Sequence, residues 1–155
     1  MVRVVKDVKG STLVRPVLKS NNNSGGNRCQ RVKVAGPDTS SEVFASTFVT
    51  DDSLTLGPEK SSRIVGRAQG ILASVSQYEH TIMNILSLEF TEGIYNKSTL
   101  SLFGREQTDL PNREIPIVGG YGVFRFSRGS AIVDTYKNIP NHIVVLEWDF
   151  YVLHY

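Results

Sequence analysis

The sequence holds very few of the residues that build disulfides, metal centres and redox sites. Cys29 is the only cysteine, so the chain cannot form an internal disulfide. The three histidines, His80, His142 and His154, are far apart and lack the spacing typical of a zinc site. We therefore expect neither a metal nor a cofactor, and any chemistry must come from ordinary side chains.

Charge of one sign and long apolar runs are also lacking. The 17 basic and 15 acidic side chains are interspersed and give a formal net charge of +2, so no basic stripe for nucleic acid is visible. No stretch approaches the ~20 apolar residues that a membrane-spanning helix needs. Residues 1–7 also lack the apolar region of a signal peptide. Neither a nucleic acid nor a membrane is a predicted partner.

Helical periodicity is the third absence, because no apolar period of 3.6 residues is sustained over three turns. Instead, segments rich in β-branched and aromatic residues alternate with turn-forming clusters. The predicted strands are 31–35, 42–50, 63–76, 81–90, 99–105, 114–118, 123–135 and 145–152. This pattern predicts an all-β domain. An antiparallel set of this number removes its exposed edges most simply by closing into a barrel, with a β-sandwich as the alternative.

The first 30 residues do not follow this pattern. Residues 20–28 are polar, glycine-rich and without apolar periodicity, which is typical of a flexible loop. We therefore divide the chain into an atypical N-terminal segment, 1–30, and a β-barrel domain, 31–155. The N-terminal segment is expected to hold a weak first strand and the loop. Without that strand, the barrel would lack one stave and expose unpaired backbone groups.

Elementary chemistry alone indicates no catalytic site. The glycine run 119–122 could cradle a phosphate, but 123–126 look like strand rather than helix, which favours a simple turn. Four charged residues cluster around a predicted turn: Glu106, Asp109, Arg113 and Glu114. A solvated loop with weak ion pairs is the simplest interpretation of that cluster.

Seven segments in this order resemble the plant dirigent family. They are VAGP (34–37), FVTDDSLT (48–55), VGRAQG (65–70), FTEGIYNKST (90–99), REIPIVGG (113–120), FRFSRG (124–129) and YVLHY (151–155). Each is weak alone, but their joint order is specific and covers residues 30–155. The resemblance implies an eight-stranded antiparallel barrel of the dirigent and allene oxide cyclase type, usually a homotrimer, with an atypical first strand in this chain.

The resemblance also implies a function. The barrel interior would bind phenoxy radicals, made by a separate laccase or peroxidase, and direct their stereoselective coupling in lignan and phenylpropanoid biosynthesis. It could equally close a quinone methide onto its own hydroxyl group. Such a pocket needs no oxidising activity of its own, because it acts by positioning and charge stabilisation. The alternative is a non-catalytic phenolic-binding or defence-response barrel that has lost directing activity.

Site residues follow from the same resemblance. Arg113 matches the family's pocket arginine, Thr135 matches a pocket threonine, and Glu106 stands where characterised members often have an aspartate. Glu106 would protonate a quinone-methide oxygen and Arg113 would hydrogen-bond a phenolic oxygen. Leu72 and Ser74 replace tyrosines of pinoresinol-forming members, so they would shape the substrate pocket differently and speak against pinoresinol-type selectivity.

The resemblance adds one more position, and a sequence pattern adds another. The family's first strand carries a Tyr-x-His-Asp pattern whose best match is residues 4–7, which makes Asp7 a candidate second acid. Asn96, followed by Lys97 and Ser98, fits the N-glycosylation pattern. That pattern matters because the resemblance implies a secreted glycoprotein of the apoplast.

Overall fold

The computed structural model describes residues 5–6, 11–14, 17–21, 29–36, 44–59, 61–139 and 143–154. Within these ranges the regular structure consists of β-strands and two short 3₁₀ turns, Gly93–Tyr95 and Gly122–Phe124. The strands are β1 Val5–Lys6, β2 Ser11–Val14, β3 Val17–Asn21, β4 Cys29–Ala35, β5 Thr47–Thr55, β6 Ile64–Ser74, β7 Thr81–Phe90, β8 Ser98–Gln107, β9 Arg113–Tyr121, β10 Arg128–Ile139 and β11 Ile143–Leu153. The same ranges include no helix long and apolar enough to cross a bilayer.

Eight of these strands pair into a closed antiparallel ring. Its order is β3, β5, β6, β7, β8, β9, β10 and β11, and β11 pairs back onto β3. Closure removes the free edges that an open sheet would present to other chains. The prediction of an all-β antiparallel barrel is confirmed, and the ring replaces the sandwich alternative.

The first stave of the ring comes from the N-terminal segment. β3 pairs with β11, where Val17 faces Glu147, and with the end of β5, where Val17 faces Thr55. β2 extends the same alignment along β11 and places Ser11 opposite Leu153. β1 pairs with β2 and stands outside the ring. The match at residues 4–7 to the family's first strand overlaps β1, which is not a stave of the ring, whereas β3 is one. The division of the chain after residue 30 stays a prediction.

One predicted strand begins later than expected. Residues 123–126 do not extend β10, because the chain makes the 3₁₀ turn Gly122–Phe124 and Phe126 adopts a positive φ of 62°. Phe124 is fully buried, with its ring centroid 5.5 Å from that of Phe90 and 5.1 Å from that of Tyr95. Because the chain turns towards the interior to bury this aromatic side chain, β10 begins only at Arg128.

The same aromatic residues close one end of the barrel. His154 meets Phe124 edge-on at 5.7 Å, next to Phe90 and Tyr95. We call these four residues the aromatic plug. Because β-strand side chains alternate between faces, the inward positions along every stave lead from this plug towards the opposite end. That opposite end contains the cavity described below.

The outer wall carries a row of exposed apolar side chains. Val32, Val49, Ile71, Ile85 and Phe103 stand directly opposite one another on consecutive strands from β4 to β8. Each is at least 41% exposed. We call this set the apolar row, and its continuity across five strands distinguishes it from scattered surface hydrophobes.

Candidate functional site

A cavity of about 280 Å³ lies inside the barrel at the end away from the aromatic plug. Its apolar lining consists of Ala68, Leu72, Ile82, Leu86, Val144, Leu146 and Trp148. Its polar lining consists of Arg31, Thr50, Asp52, Asn84, Glu106, Thr108, Arg113 and Thr135. A largely apolar hollow with convergent polar groups is typical of a small-molecule site.

The polar wall of the cavity is centred on an ion pair between neighbouring strands. Nε of Arg113 lies 2.8 Å from Oε1 of Glu106, and the two side chains are only 5% and 7% exposed. Such a pair loses much hydration and persists when its other polar atoms also find partners. Asn84 of β7 supplies one of these partners, because its Nδ2 donates to Oε2 of Glu106 at 3.0 Å.

The turn between β8 and β9 holds Arg113 in place. Nη1 donates to the carbonyl oxygens of Thr108 at 3.0 Å and Leu110 at 3.3 Å, and to Oγ1 of Thr135 at 2.9 Å. The Nε–H bond is not aligned with a hydrogen-bond acceptor, so its contact with Glu106 is ionic. Within the described ranges, Nη2 has no hydrogen-bond acceptor and remains available to a ligand.

The solvated-loop interpretation is therefore wrong for two of the four charged residues around this turn. β8 continues to Gln107 and β9 begins at Arg113, so strand alternation directs Glu106 and Arg113 into the barrel. Asp109 and Glu114 are exposed, as that interpretation predicts.

The residues predicted to bind substrate occupy different depths. Thr135 is exposed at the rim of the cavity, where it accepts the hydrogen bond from Arg113. Leu72 is buried and lines the wall. Ser74 is buried further along β6 and is not part of the lining; its backbone N–H donates to the carbonyl oxygen of Ser46 at 2.9 Å.

The two remaining predicted positions lie elsewhere. Asp7 falls outside the described residues, and its predecessors Val5 and Lys6 belong to β1, which is not part of the ring. Asn96 is exposed directly after the 3₁₀ turn Gly93–Tyr95, on the side of the aromatic plug. The structure thus unites Glu106, Arg113, Thr135 and Leu72 around one cavity.

Asp52 is an acidic lining residue that the sequence did not single out. It lies on β5 and is only 2% exposed. Its Oδ2 accepts a hydrogen bond from Oγ1 of Thr50 at 2.8 Å, while Oδ1 is buried without a hydrogen-bond partner among the described residues. Burial raises the pKa of Asp52 from 3.8 to about 6, against the opposing effects of the Thr50 hydrogen bond and the Arg31 charge.

Two further lining groups were missed. Asn84 orients Glu106, and Trp148 has a buried indole N–H without an acceptor in the described part of the chain. A signal for Asp52 and Asn84 does exist in the sequence. Each occupies an inward position of a strand whose next inward residue is a leucine, Leu54 or Leu86. A polar residue at an inward strand position next to apolar ones is unusual unless its polar atoms are hydrogen-bonded or it has a function.

Comparisons with known proteins agree with this architecture. The family profile described as Dirigent-like protein matches residues 19–153. Dirigent protein 11 of Arabidopsis thaliana is 40% identical over 132 residues, which cover 83% of this chain and 68% of that protein. Pterocarpan synthase 1 of Glycine max is 43% identical over 114 residues, which cover 72% of this chain and 61% of that protein.

A solved structure has the same fold throughout. It is that of a pterocarpan synthase dirigent protein, which superposes with a TM-score of 0.86 at 34% identity and covers 97% of this chain and 99% of that one. The profile covers most of the chain, and the relatives are at least 40% identical in sequence. This chain belongs to the dirigent-like protein family.

Proposed function

We propose that the cavity binds a phenolic quinone methide and closes it stereoselectively onto one of its own hydroxyl groups. The observation that carries this proposal is the buried pair of Glu106 and Arg113, which is oriented by Asn84 on one wall of a cavity that also has an apolar lining. A quinone methide is apolar over most of its surface and has one oxygen on which charge develops. In the cavity, apolar side chains can contact the rings, and Arg113 can contact that oxygen.

The chemistry assigned to the pair follows from that charge. As the hydroxyl oxygen attacks the methide carbon, the former carbonyl oxygen becomes a phenolate. Arg113 donates a hydrogen bond to that oxygen through Nη2 and stabilises the negative charge where it forms. Glu106 forms the ion pair that holds Arg113 in position, and the phenolate then takes up a proton from solvent. Neither step transfers electrons to an oxidant, so the protein needs no redox centre for this reaction.

The size of the cavity favours ring closure within one molecule. Its volume of about 280 Å³ lies just below the ~300–1,000 Å³ that is common for sites holding one small ligand. Two phenoxy radicals would need more space than one ring system. The similarity to proteins named pterocarpan synthase supports the same choice. Stereoselective coupling of radicals from a laccase or peroxidase is the second candidate and rests on the dirigent family itself.

The experiment separates binding from turnover. Trp148 is the only tryptophan in the chain and lines the cavity, so its fluorescence reports ligand entry directly. Turnover is measured with a phenolic quinone methide that carries a free hydroxyl group and is generated in the assay from the corresponding benzylic alcohol by loss of water. Products are resolved on a chiral column. A parallel assay supplies coniferyl alcohol and a one-electron oxidant.

The outcomes distinguish ring closure, radical coupling and binding without turnover. Excess of one ring-closed enantiomer, lost in Glu106→Gln and retained in the exposed control Glu114→Gln, supports the proposal. Excess of one coupled enantiomer in the parallel assay selects radical coupling instead. Fluorescence quenching with racemic products in both assays contradicts both catalytic functions and identifies a phenolic-binding barrel.

We further propose that the apolar row contacts other copies of this chain in a homotrimer. A continuous exposed apolar strip on a soluble barrel is unfavourable unless another surface covers it. The row crosses five strands of regular wall and contains no charged residue, so a second barrel wall of the same kind fits against it. Trimeric assembly is what the family resemblance implies for such a barrel.

Secretion to the apoplast with a glycan on Asn96 completes the proposal. Asn96 is exposed and lies in a turn, the usual setting of an acceptor asparagine. Ser98 is the third residue of the acceptor pattern, and in the folded barrel its Oγ accepts a hydrogen bond from the backbone N–H of Val123 at 3.1 Å. Because this bond occupies the hydroxyl group, we expect the glycan to be added before the barrel closes. Expression through a plant secretory pathway should give a glycosidase-sensitive mass that Asn96→Gln abolishes. An unchanged mass would exclude the modification.

A further inference from the structure

Asp52 and Arg113 lie on opposite walls of the cavity. In the ring of eight strands, β9 is the fourth strand from β5 in either direction. Both residues line the same hollow, and the side chains between them are largely apolar. A ligand that spans the cavity therefore meets a polar group at each end.

The Asp52 end of the cavity has unused hydrogen-bonding capacity. Oδ1 of Asp52 and Nε1 of Trp148 are buried and have no hydrogen-bond partner in the described residues. Both belong to the lining, on β5 and on β11, which are separated in the ring by β3 alone. A buried polar atom without a partner costs free energy, so such atoms point to a bound molecule that satisfies them.

We propose that Asp52 is a second acid–base residue of the cavity and that its free Oδ1 accepts the proton of the attacking substrate hydroxyl. This inference rests on the proposed ring closure and extends it. It also defines the substrate class as a phenol with oxygen functions at two ends. One oxygen contacts Arg113, and the other contacts Asp52 and the indole N–H of Trp148.

The reaction balances with these two residues. The hydroxyl oxygen forms a C–O bond to the methide carbon while its proton passes to Asp52. The electron pair of the exocyclic C=C bond moves into the ring, and the former carbonyl oxygen becomes a phenolate held by Arg113. That oxygen then takes up one proton from solvent, and Asp52 returns the proton that it accepted to solvent. The product is an isomer of the quinone methide, and no oxidant is consumed.

The environment of Asp52 suits a proton acceptor near neutral pH. Burial raises the pKa of its carboxyl group to about 6, and the Asp51 charge raises it slightly further. Thr50, Arg31 and Arg67 act in the opposite direction. A base is most effective when its pKa lies close to the working pH, because it is then ionised and still able to take up a proton.

The test compares two adjacent aspartates. Asp52→Asn removes the inward base without changing side-chain size, and Asp51→Asn makes the same change on the outer face. We expect Asp52→Asn to lower the ring-closure rate by ~10²-fold, the scale typical of general acid–base catalysis. In the unsubstituted protein the rate should fall as pH drops below about 6, where Asp52 becomes protonated. This acid limb should be absent in Asp52→Asn and retained in Asp51→Asn, moved slightly to lower pH because the Asp51 charge that raises the pKa of Asp52 is gone.

A second measurement does not depend on turnover. Quenching of Trp148 fluorescence by an unreactive diphenol gives the dissociation constant across pH 5–8. We expect binding to weaken below about pH 6 in the unsubstituted protein and to be independent of pH in Asp52→Asn. Equal rates, or parallel binding and rate profiles in the two variants, would overturn the role of Asp52. If binding depends on Asp52 but no turnover is seen, the proposed ring closure is overturned. The role of Asp52 as the second polar contact for the ligand is then retained.

Discussion

Asp51 and Asp52 are consecutive in β5 and have opposite environments. Asp51 faces outward, and its Oδ1 lies 2.6 Å from Nη2 of Arg67 on the neighbouring strand. Asp52 faces the cavity with a raised pKa, and one of its oxygens has no hydrogen-bond partner among the residues that the structure describes. Since successive residues of a strand point to opposite faces, one position separates a surface ion pair from a buried acid.

Asp52→Asn should stabilise the barrel at neutral pH. The folded-state pKa of about 6 exceeds the ordinary value of 3.8, so the folded state binds more protons between these values and stability falls as pH rises through them. The two-unit difference corresponds to at most roughly 3 kcal/mol. The free energy of urea unfolding, measured from pH 3.5 to 8, should favour the variant above about pH 6. The gap should close towards pH 3.5, whereas a constant gap would contradict the assigned pKa.

Arg113→Met should destabilise the fold far more than a surface change of the same type. It leaves Glu106 buried without its cation, which typically costs about 3–5 kcal/mol. Arg105→Met is the matched control, because Arg105 is exposed and pairs with Glu79 at the surface. Loss of that pair should cost under ~1 kcal/mol. Thermal and urea unfolding of both variants at pH 7 provide the comparison, and equal losses would show that the buried pair contributes no more than an exposed one.

Thr50→Val should move the acid limb of the ring-closure rate to higher pH. The hydroxyl of Thr50 donates to Asp52 at 2.8 Å and lowers its pKa. Without that hydrogen bond, the ionised carboxylate is less favourable and the pKa rises. Thr50→Ser retains the hydroxyl and should keep the original profile. The pH dependence of kcat/KM separates the two variants, and identical profiles would remove Thr50 as a positioning residue.

Ile85→Arg should dissociate the proposed trimer without unfolding the barrel. The side chain lies within the apolar row, between Ile71 and Phe103, so a charge there would be desolvated in any interface that covers the row. Glu89→Arg, on the same outer face of β7, is the control. Size-exclusion chromatography with light scattering should give a monomer mass for the first variant and a trimer mass for the second. A monomer for the unsubstituted protein would remove the proposal.

Much of the fold is visible in the sequence because strand and turn signals are local. The predicted strand 81–90 coincides with β7, and β11 was predicted from the alternation around Trp148. The 3₁₀ turn before β10 was not, because it depends on Phe124 packing against Phe90 and Tyr95, which are distant in sequence. The position of β3 is also not predictable from local patterns, because this strand depends on pairing with β11 and β5.

The sequence by itself determined the family and the antiparallel all-β class, and it singled out Arg113, Glu106 and Thr135 as candidates, all of which line the cavity. These depend on residue order, which local patterns preserve. Only the tertiary structure decided that Glu106 and Arg113 are a buried pair rather than a solvated loop, and that Asp52 faces them. Burial and pairing across a barrel arise when strands far apart in sequence close into one ring, and the resulting desolvation changes the chemistry of the same side chains.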